Sequence, residues 1–364
     1  MKHLLSSALL AAALVAGQAA VAEERHDDDV LTVAVFGDWP YNTNLLTNAP
    51  LLTNSVNADR AVRRVIHVGD IHSGSMACTS AGILPPIPTS NPGWNQQIFY
   101  NFQQFKAPLV YTPGDNEWTD CHKTKQLKSG APLQELAAVR SLFFSQPGKT
   151  LGGDVREVWS QAKFFDPAYP TDAQFVENVI WEEGHVVFVT VNMPGSNNDT
   201  LPWTNGFENP SAQAKEVADR TGAAMRWLQA AFKHAAAHQA RGVVIAQQAD
   251  MWDPAAVATG GDGLGGYTPY VQTIASLALQ FRKPVLLLNG DSHVFGADKP
   301  LADPASATGV IHHTLAVPNL TRITVQGSTN APAEWLRLTI DPRSSALFSW
   351  TNVAYCANPL GSCQ

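Results

Sequence analysis

Four apolar runs in this chain end in the same dipeptide. Leu31 to Phe36 leads into Gly37-Asp38, Val65 to Val68 into Gly69-Asp70, Leu109 to Tyr111 into Gly114-Asp115, and Val285 to Leu288 into Gly290-Asp291. Short, near-continuous apolar runs suit strands covered on both faces. Glycine at the strand end lets the chain turn sharply and leaves the following carboxylate unshielded. In α/β sheets the loops after strand C-termini face one side, where ligands bind. Four carboxylates meeting there repel strongly unless a cation neutralises them. A single Gly-Asp is an ordinary turn or helix-cap signal. Chance at this composition supplies roughly one or two such pairs, so four at strand ends predict a shared metal centre.

The rest of the chain fits an α/β domain spanning residues 30–364, with no internal repeat or long linker. Val186 to Val191 and Val243 to Ala246 read as further buried strands. Trp94, Ile98, Phe102 and Phe105 recur at helical spacing, as do Val217, Thr221, Met225, Leu228 and Phe232. A third helix is predicted to open at Thr268 with Pro269 in its first turn and to bury Val271, Ile274, Ala278 and Phe281. Arg322 to Gln326, Trp335 to Ile340 and Ala346 to Trp350 are short and partly alternating, which predicts an antiparallel meander.

Composition narrows the partners. Ten Trp and fifteen Phe exclude a disordered chain, and a formal charge of −7 argues against nucleic acid or an anionic membrane as the main partner. At the start, Lys2 and His3, the apolar stretch Leu4 to Ala16 and the small-residue pattern Ala20-Val21-Ala22 read as a secretory signal over residues 1–22. It is too short to span a bilayer, and no later segment is long and apolar enough to do so. The mature protein is expected to be exported, periplasmic or secreted after cleavage near Ala22, with residues 23–29 as a mobile polar tail. The oligomeric state is left open.

Export favours disulfides over free thiols. Cys78, Cys121, Cys356 and Cys363 can pair in three ways. The preferred pairs are Cys356 with Cys363, closing a small terminal loop, and Cys78 with Cys121, each of which follows a candidate site loop. None has the spacing of a structural zinc site.

The motif order, from Phe36-Gly37-Asp38 to Asn289-Gly290-Asp291-Ser292-His293, resembles the calcineurin-like metallophosphoesterases, relatives of the purple acid phosphatases. The resemblance implies a four-layer α/β/β/α sandwich of two mixed sheets with two metals between them. Asp38 matches the first-metal Asp, Asp70 the bridging carboxylate and His293 the last histidine. Pro40 stands where the first motif usually has a histidine, and Ser73 where purple acid phosphatases place a tyrosine. Asp115 replaces the family Asn, and Asn116 replaces the histidine that assists the leaving group. Gln248, with Gln247 as the neighbouring alternative, replaces a lone His, and Asp291 replaces the first member of His-x-His.

The resulting ligand set, Asp38, Asp70, Asp115, Gln248, Asp291 and His293, has one nitrogen and otherwise oxygens. Oxygen-rich sites suit Mg²⁺ or Mn²⁺, or a mixed pair with Fe, better than Zn²⁺. The resemblance implies hydrolysis of a phosphomonoester or phosphodiester, a small phosphorylated substrate, by a metal-bound hydroxide. The alternative is a degenerate single-metal relative that binds a phosphorylated or sugar-like ligand without turnover. Asn116 hydrogen-bonds a phosphate oxygen but has no catalytic proton to give, so His72 and His122, each just after a ligand loop, are the substitute acids. Asn192 and Asn197, in a loop after another buried strand, are candidate substrate contacts. Gly260 to Gly266 lacks the lysine of a phosphate-binding loop, and His312 and His313 lack a ligand partner in sequence.

Overall fold

The computed structural model describes residues 30–78 and 93–363. The leader and polar tail expected over residues 1–29 lie outside these. The chain is a mixed α/β structure with two mixed sheets. Its strands are β1 (Leu31–Phe36), β2 (Val62–His67), β3 (Leu109–Tyr111), β4 (Trp159–Ser160), β5 (Val179–Glu183), β6 (Val186–Thr190), β7 (Gly242–Ala246), β8 (Val285–Asn289), β9 (Gly296–Asp298), β10 (Leu320–Thr324), β11 (Ala333–Ile340) and β12 (Phe348–Cys356). One sheet has the order β12-β11-β1-β2-β3, the other β4-β5-β6-β7-β8-β10-β9. The parallel pairs are β1–β2 and β2–β3 in the first, and β6–β7, β7–β8 and β8–β10 in the second.

Alternation along each strand sends neighbouring side chains to different apolar clusters. Val33 and Val35 of β1 meet Phe188, Val244 and Leu286 of the other sheet in one cluster. Ala34 and Phe36 face instead toward Leu52, Val56, Ile98 and Phe102 of the Ala49–Ala58 and Trp94–Phe102 helices. Val187, Ile245 and Leu287 pack with Trp227 and Leu228 of the Pro210–Ala237 helix and with Val271 and Ile274 of the Thr268–Phe281 helix. The near-continuous apolarity of these strands follows from that double coverage.

The Thr268–Phe281 helix opens at the predicted Thr268, with Pro269 where no backbone N–H is needed; Val271, Ile274 and Ala278 are buried as expected, whereas Phe281, at the last turn, is only half-buried. Asn209 caps the Pro210–Ala237 helix by accepting from the Ala212 N–H. The predicted meander needs a correction. β11 and β12 pair antiparallel, but β10 lies in the other sheet, parallel to β8. Residues 290–319 between β8 and β10 are long enough for the crossover that a parallel pair requires. Alternation around Arg322 reflects its ion pairs with Asp250 and Asp298 rather than a solvent-facing hairpin. Among the described residues no helix is long and apolar enough to cross a membrane. Both preferred cysteine pairs, Cys78–Cys121 and Cys356–Cys363, are disulfides.

Candidate metal centre

Because β1, β2 and β3 run parallel, their C-terminal loops emerge side by side and deliver Asp38, Asp70 and Asp115 to one edge. The first two loops are tied together by backbone hydrogen bonds, Asp38 N to Gly69 O at 2.9 Å and Trp39 N to Asp70 O at 2.9 Å. Asp38, Asp70 and Asp291 all take left-handed backbone angles, φ 48°, 60° and 75°, a conformation that aspartate tolerates better than most residues. Asp38 and Asp70 are buried, and together with His293 they bring one ligand atom each to within 4.8 Å of one another. His293 Nε2 lies 3.2 Å from Asp38 Oδ1.

The centre of that trio is a residue the sequence reading overlooked. The Tyr41 hydroxyl donates toward Asp38 Oδ1 at 2.9 Å and Asp70 Oδ2 at 2.8 Å, and lies 3.1 Å from His293 Nε2. The departure at Pro40 drew attention to a lost histidine, while the residue beside it, a tyrosine three positions after Asp38, reaches the same place. Asn116 grips Asp70 from the other side. Its backbone N–H donates to Oδ1 at 3.2 Å and its amide Nδ2 to Oδ2 at 2.7 Å.

The second sheet contributes from the ends of β6, β7 and β8. The Gln248 amide donates to Asp115 Oδ1 at 3.2 Å and accepts from the Gly195 N–H. Asp291 Oδ2 accepts from Asp250 N at 3.0 Å, and the Asp291 N–H donates to the Asp38 carboxylate, which spans the two sheets. After β6 the chain makes a left-handed helical turn: Ser196, Asn197 and Asn198 have φ of 54° to 61°. Such a run costs roughly 1–2 kcal/mol per residue outside glycine, and strain of this kind clusters at functional sites. It points the Ser196 hydroxyl at Asp115 Oδ2, 2.8 Å away, and at Asp120 Oδ1, 2.7 Å away. Gly195 sits between the two acids: a Cβ there would lie 2.7 Å from both Asp115 Oδ2 and Asp291 Oδ1. Gly195→Ala is expected to cost about 1–3 kcal/mol by overpacking and to weaken divalent-ion binding by forcing these carboxylates apart. Calorimetric ion titration of the variant checks this; wild-type affinity would show that the acids do not act together.

Electrostatically the cluster is far from balanced. Among the described residues the one ion pair on these four carboxylates is His293 with Asp38; Lys123 and Lys125 pair instead with Asp120. Burial, then the charge of Asp115, pushes the Asp70 and Asp291 carboxyls far above the usual range. Burial and Asp120 raise Asp115 to about 6, and burial raises Glu117 to about 7. Burial draws His293 down, but the hydrogen bond and charge of Asp38 outweigh it and raise the imidazole overall. Buried acids without a cationic partner and mostly oxygen donors are the chemistry that hard divalent ions fit.

These shifts set a sign for stability against pH. Unfolded Asp and Glu release their protons near pH 4, whereas the folded, metal-free protein keeps them, so stability falls as pH rises toward and past about 7. His67 and His72, held at about 4 by burial, act in the opposite sense but are nearly spent by about pH 7. In chelator the melting temperature is therefore expected to drop between about pH 6 and 7.5, where Asp115 and Glu117 ionise in the folded protein, and excess Mn²⁺ or Mg²⁺ to restore it at the upper end. A metal-free melting temperature that climbs over this interval would refute the assignment of a proton-loaded cluster.

Of the residues predicted from sequence, Asp38, Asp70, Asp115, Asn116, Gln248, Asp291 and His293 come together. Gln247 does not join them; its amide donates to the Ala249 carbonyl. His72 is buried against the Ser73 carbonyl, and at about 4 its imidazole is neutral at neutral pH, with no imidazolium proton for a leaving group. His122 Nδ1 is engaged by Thr204, both its hydroxyl and its N–H at 3.0 Å. Asn192 is spent inside the fold, donating to Glu177 Oε1 at 2.9 Å, and Asn197 accepts from the Gly266 N–H. Besides Tyr41, the sequence reading missed Glu117. Its Oε1 accepts from Tyr111 Oη at 2.6 Å, Gly114 N at 2.8 Å and Asp70 N at 3.2 Å, bracing two of the ligand loops. The signal was its place two residues after Asp115.

No family model and no curated protein matches the chain. A solved structure titled "GAP50 the anchor in the inner membrane complex of Plasmodium" is similar over 90% of each chain, with 9% sequence identity and a TM-score of 0.41.

Proposed function

We propose that this protein is an exported, metal-dependent phosphoesterase built on the four-layer sandwich of the calcineurin-like metallophosphoesterases, exported to the periplasm or beyond. The observation that carries the reading is the meeting of Asp38, Asp70, Asp115 and Asp291 at the ends of parallel strands from two sheets, where burial and mutual repulsion disfavour the ionised forms of Asp70 and Asp291 in the absence of a cation. Asp38, Asp70 and His293 would hold a first ion, and Asp70, Asp115, Gln248 and Asp291 a second. When bound, such ions supply Lewis acidity and charge neutralisation for attack of water on phosphorus.

The chain's own groups have complementary parts. Tyr41 Oη keeps its proton, because burial and the Asp38 and Asp70 charges hold the phenol well above its ordinary range, and it orients both carboxylates. The Asn116 side-chain amide is spent on Asp70 Oδ2 and Tyr41 Oη, so it fixes these two groups rather than meeting a phosphate oxygen, and it supplies no proton to a leaving group. General acid help is typically worth about 10²- to 10⁴-fold, so esters with acidic alcohols, such as p-nitrophenyl phosphates, are favoured over alkyl esters by more than in a site with an acid.

Metal analysis of protein purified without added metal, with release of p-nitrophenol from mono- and bis-p-nitrophenyl phosphate under Mn²⁺, Mg²⁺ or Fe added singly, tests the proposal. Two hard ions per chain and turnover support it. One bound ion and no turnover with any metal support the ligand-binding relative, a reading favoured by the compactness of the Asp38, Asp70, His293 trio relative to the acids beside it. Stoichiometric zinc at both positions counts against the oxygen-rich assignment.

A further inference from the structure

Away from this centre, three donors of different chemistry converge at the end of the longest helix. In the Pro210–Ala237 helix, Trp227, Ala231 and Ala235 pack in the same apolar cluster as Ile180 of β5. Two residues past Ile180, on the same face of that strand, stands Glu182. Continuing the packed stripe of the helix, His234 and the C-cap residue His238 lie four apart, on one side of the helix end. His234 Nε2 is 2.8 Å and His238 Nδ1 3.3 Å from the same Glu182 Oε2, and all three ligand atoms fall within 4.8 Å of one another. The two imidazole rings lie 3.8 Å apart at 36°.

We propose that Glu182, His234 and His238 form a second, separate metal site that takes a borderline transition ion, Zn²⁺ or Cu²⁺. Two imidazoles and one carboxylate are a donor set that such ions prefer and that Mg²⁺ or Mn²⁺ does not. Ligands about 2.1 Å from a tetrahedral ion stand about 3.4 Å from each other. The His238–Glu182 separation is already there, and His234 needs to open by about 0.6 Å. Side-chain exposures of 31% for Glu182 and 54% for His238 leave the ion an entry path and a position for water. A bound ion would clamp the C-terminal end of the helix to β5. The site is independent of the carboxylate cluster and of the reading of that cluster as hydrolytic.

Trp159 supplies a reporter, its ring 4.5 Å from that of His234 and edge-on to it. The test is calorimetric titration of the full chain with Zn²⁺, and fluorescence titration with Cu²⁺, for wild type, His238→Ala, the double variant His234→Ala/His238→Ala, and Trp159→Phe. Wild type is expected to bind one more Zn²⁺ than the double variant. In His238→Ala, whose exposed ring carries little of the fold, affinity at this site is expected to fall at least about tenfold, because losing even an outer partner of a ligand costs that much. The Cu²⁺-quenched emission should vanish in both the double variant and Trp159→Phe, while hydrolysis of p-nitrophenyl phosphate is unchanged in His238→Ala. Identical Zn²⁺ stoichiometry in wild type and double variant, or Cu²⁺ quenching that survives the histidine substitutions, would overturn the site.

Discussion

Asp70→Asn is expected to lower metal-dependent phosphoester hydrolysis by about 10³-fold or more while raising the melting temperature of the metal-free protein by a few degrees. Asp70 is the carboxylate shared by both candidate ion positions, and charge stabilisation by bound ions is worth several kcal/mol of barrier at about 1.36 kcal/mol per tenfold. The opposite sign for stability follows from the same burial. Asp70 is 1% exposed, and burial first, then the charges of Asp115, Glu117, Asp38 and Asp291, raise its pKa far above the ordinary range. Without metal its carboxyl is held protonated, and an amide of the same shape mimics that form with no titration cost once the Asn116 side-chain amide, which donates to Oδ2, turns to accept from the new Nδ2. Relief of an unfavourable functional site is typically worth about 0.5–2 kcal/mol, a shift of a few degrees. Asp70→Ala differs instructively. It strips the acceptor from the Asn116 N–H and amide and from the Tyr41 hydroxyl, and buried donors left unpaired cost about 1–3 kcal/mol. Paired assays of turnover with Mn²⁺ and of thermal unfolding in chelator decide the matter. Asp70→Asn that keeps wild-type turnover removes this residue from the chemistry; one that melts lower than wild type in chelator removes the charge-frustration argument.

Replacing Cys78 and Cys121 together by Ala is expected to destabilise the protein by about 4 kcal/mol, against about 2 kcal/mol for the Cys356/Cys363 pair. The first bridge closes a loop with a sequence separation of 43, the second one of 7, and chain-entropy loss in the unfolded state grows with the logarithm of that length. The long bridge also has a local effect. Both sulfurs are buried, and the Cys121 end lies in the loop that carries Asn116, whose carbonyl they contact. Cys78 is held in turn by its N–H to Ser129 Oγ at 2.7 Å. Untying the loops after Asp70 and Asp115 is therefore expected to weaken ion binding as well as stability, whereas loss of the terminal bridge should leave ion binding intact. Denaturant unfolding with and without reductant measures the first difference, and metal titration of the two double variants the second. Equal losses from both pairs would contradict the loop-length argument.

How much of this was legible beforehand can be traced residue by residue. Leu31–Phe36 and Leu109–Tyr111 have the expected bounds, and the Thr268–Phe281 helix the expected start, because burial on both faces, or proline in a first turn, leaves a local mark. The convergence of the Gly-Asp loops was legible for the same reason: parallel strands send their C-terminal loops to one edge. β10 was misplaced because sheet membership is a hydrogen-bonding choice between distant segments, and partial alternation suits either partner. Tyr41 escaped notice because nothing in the order Asp38-Trp39-Pro40-Tyr41 states that the fourth side chain turns back over the first. Gly195 likewise read as part of a turn-rich loop; that it separates Asp115 from Asp291 is a relation between three distant segments.

The amino-acid order by itself determined which segments are buried strands and that acidic residues follow them at one sheet edge, since these depend on local polarity and glycine's backbone freedom. Only the tertiary structure decided which donors share a centre, that a tyrosine sits among them, that a left-handed turn packs against two carboxylates, and that two helix-end histidines meet a strand glutamate. Each of those is a distance of a few ångströms between residues far apart in the chain, and such distances are set by how the two sheets and their helices pack, which no local pattern encodes.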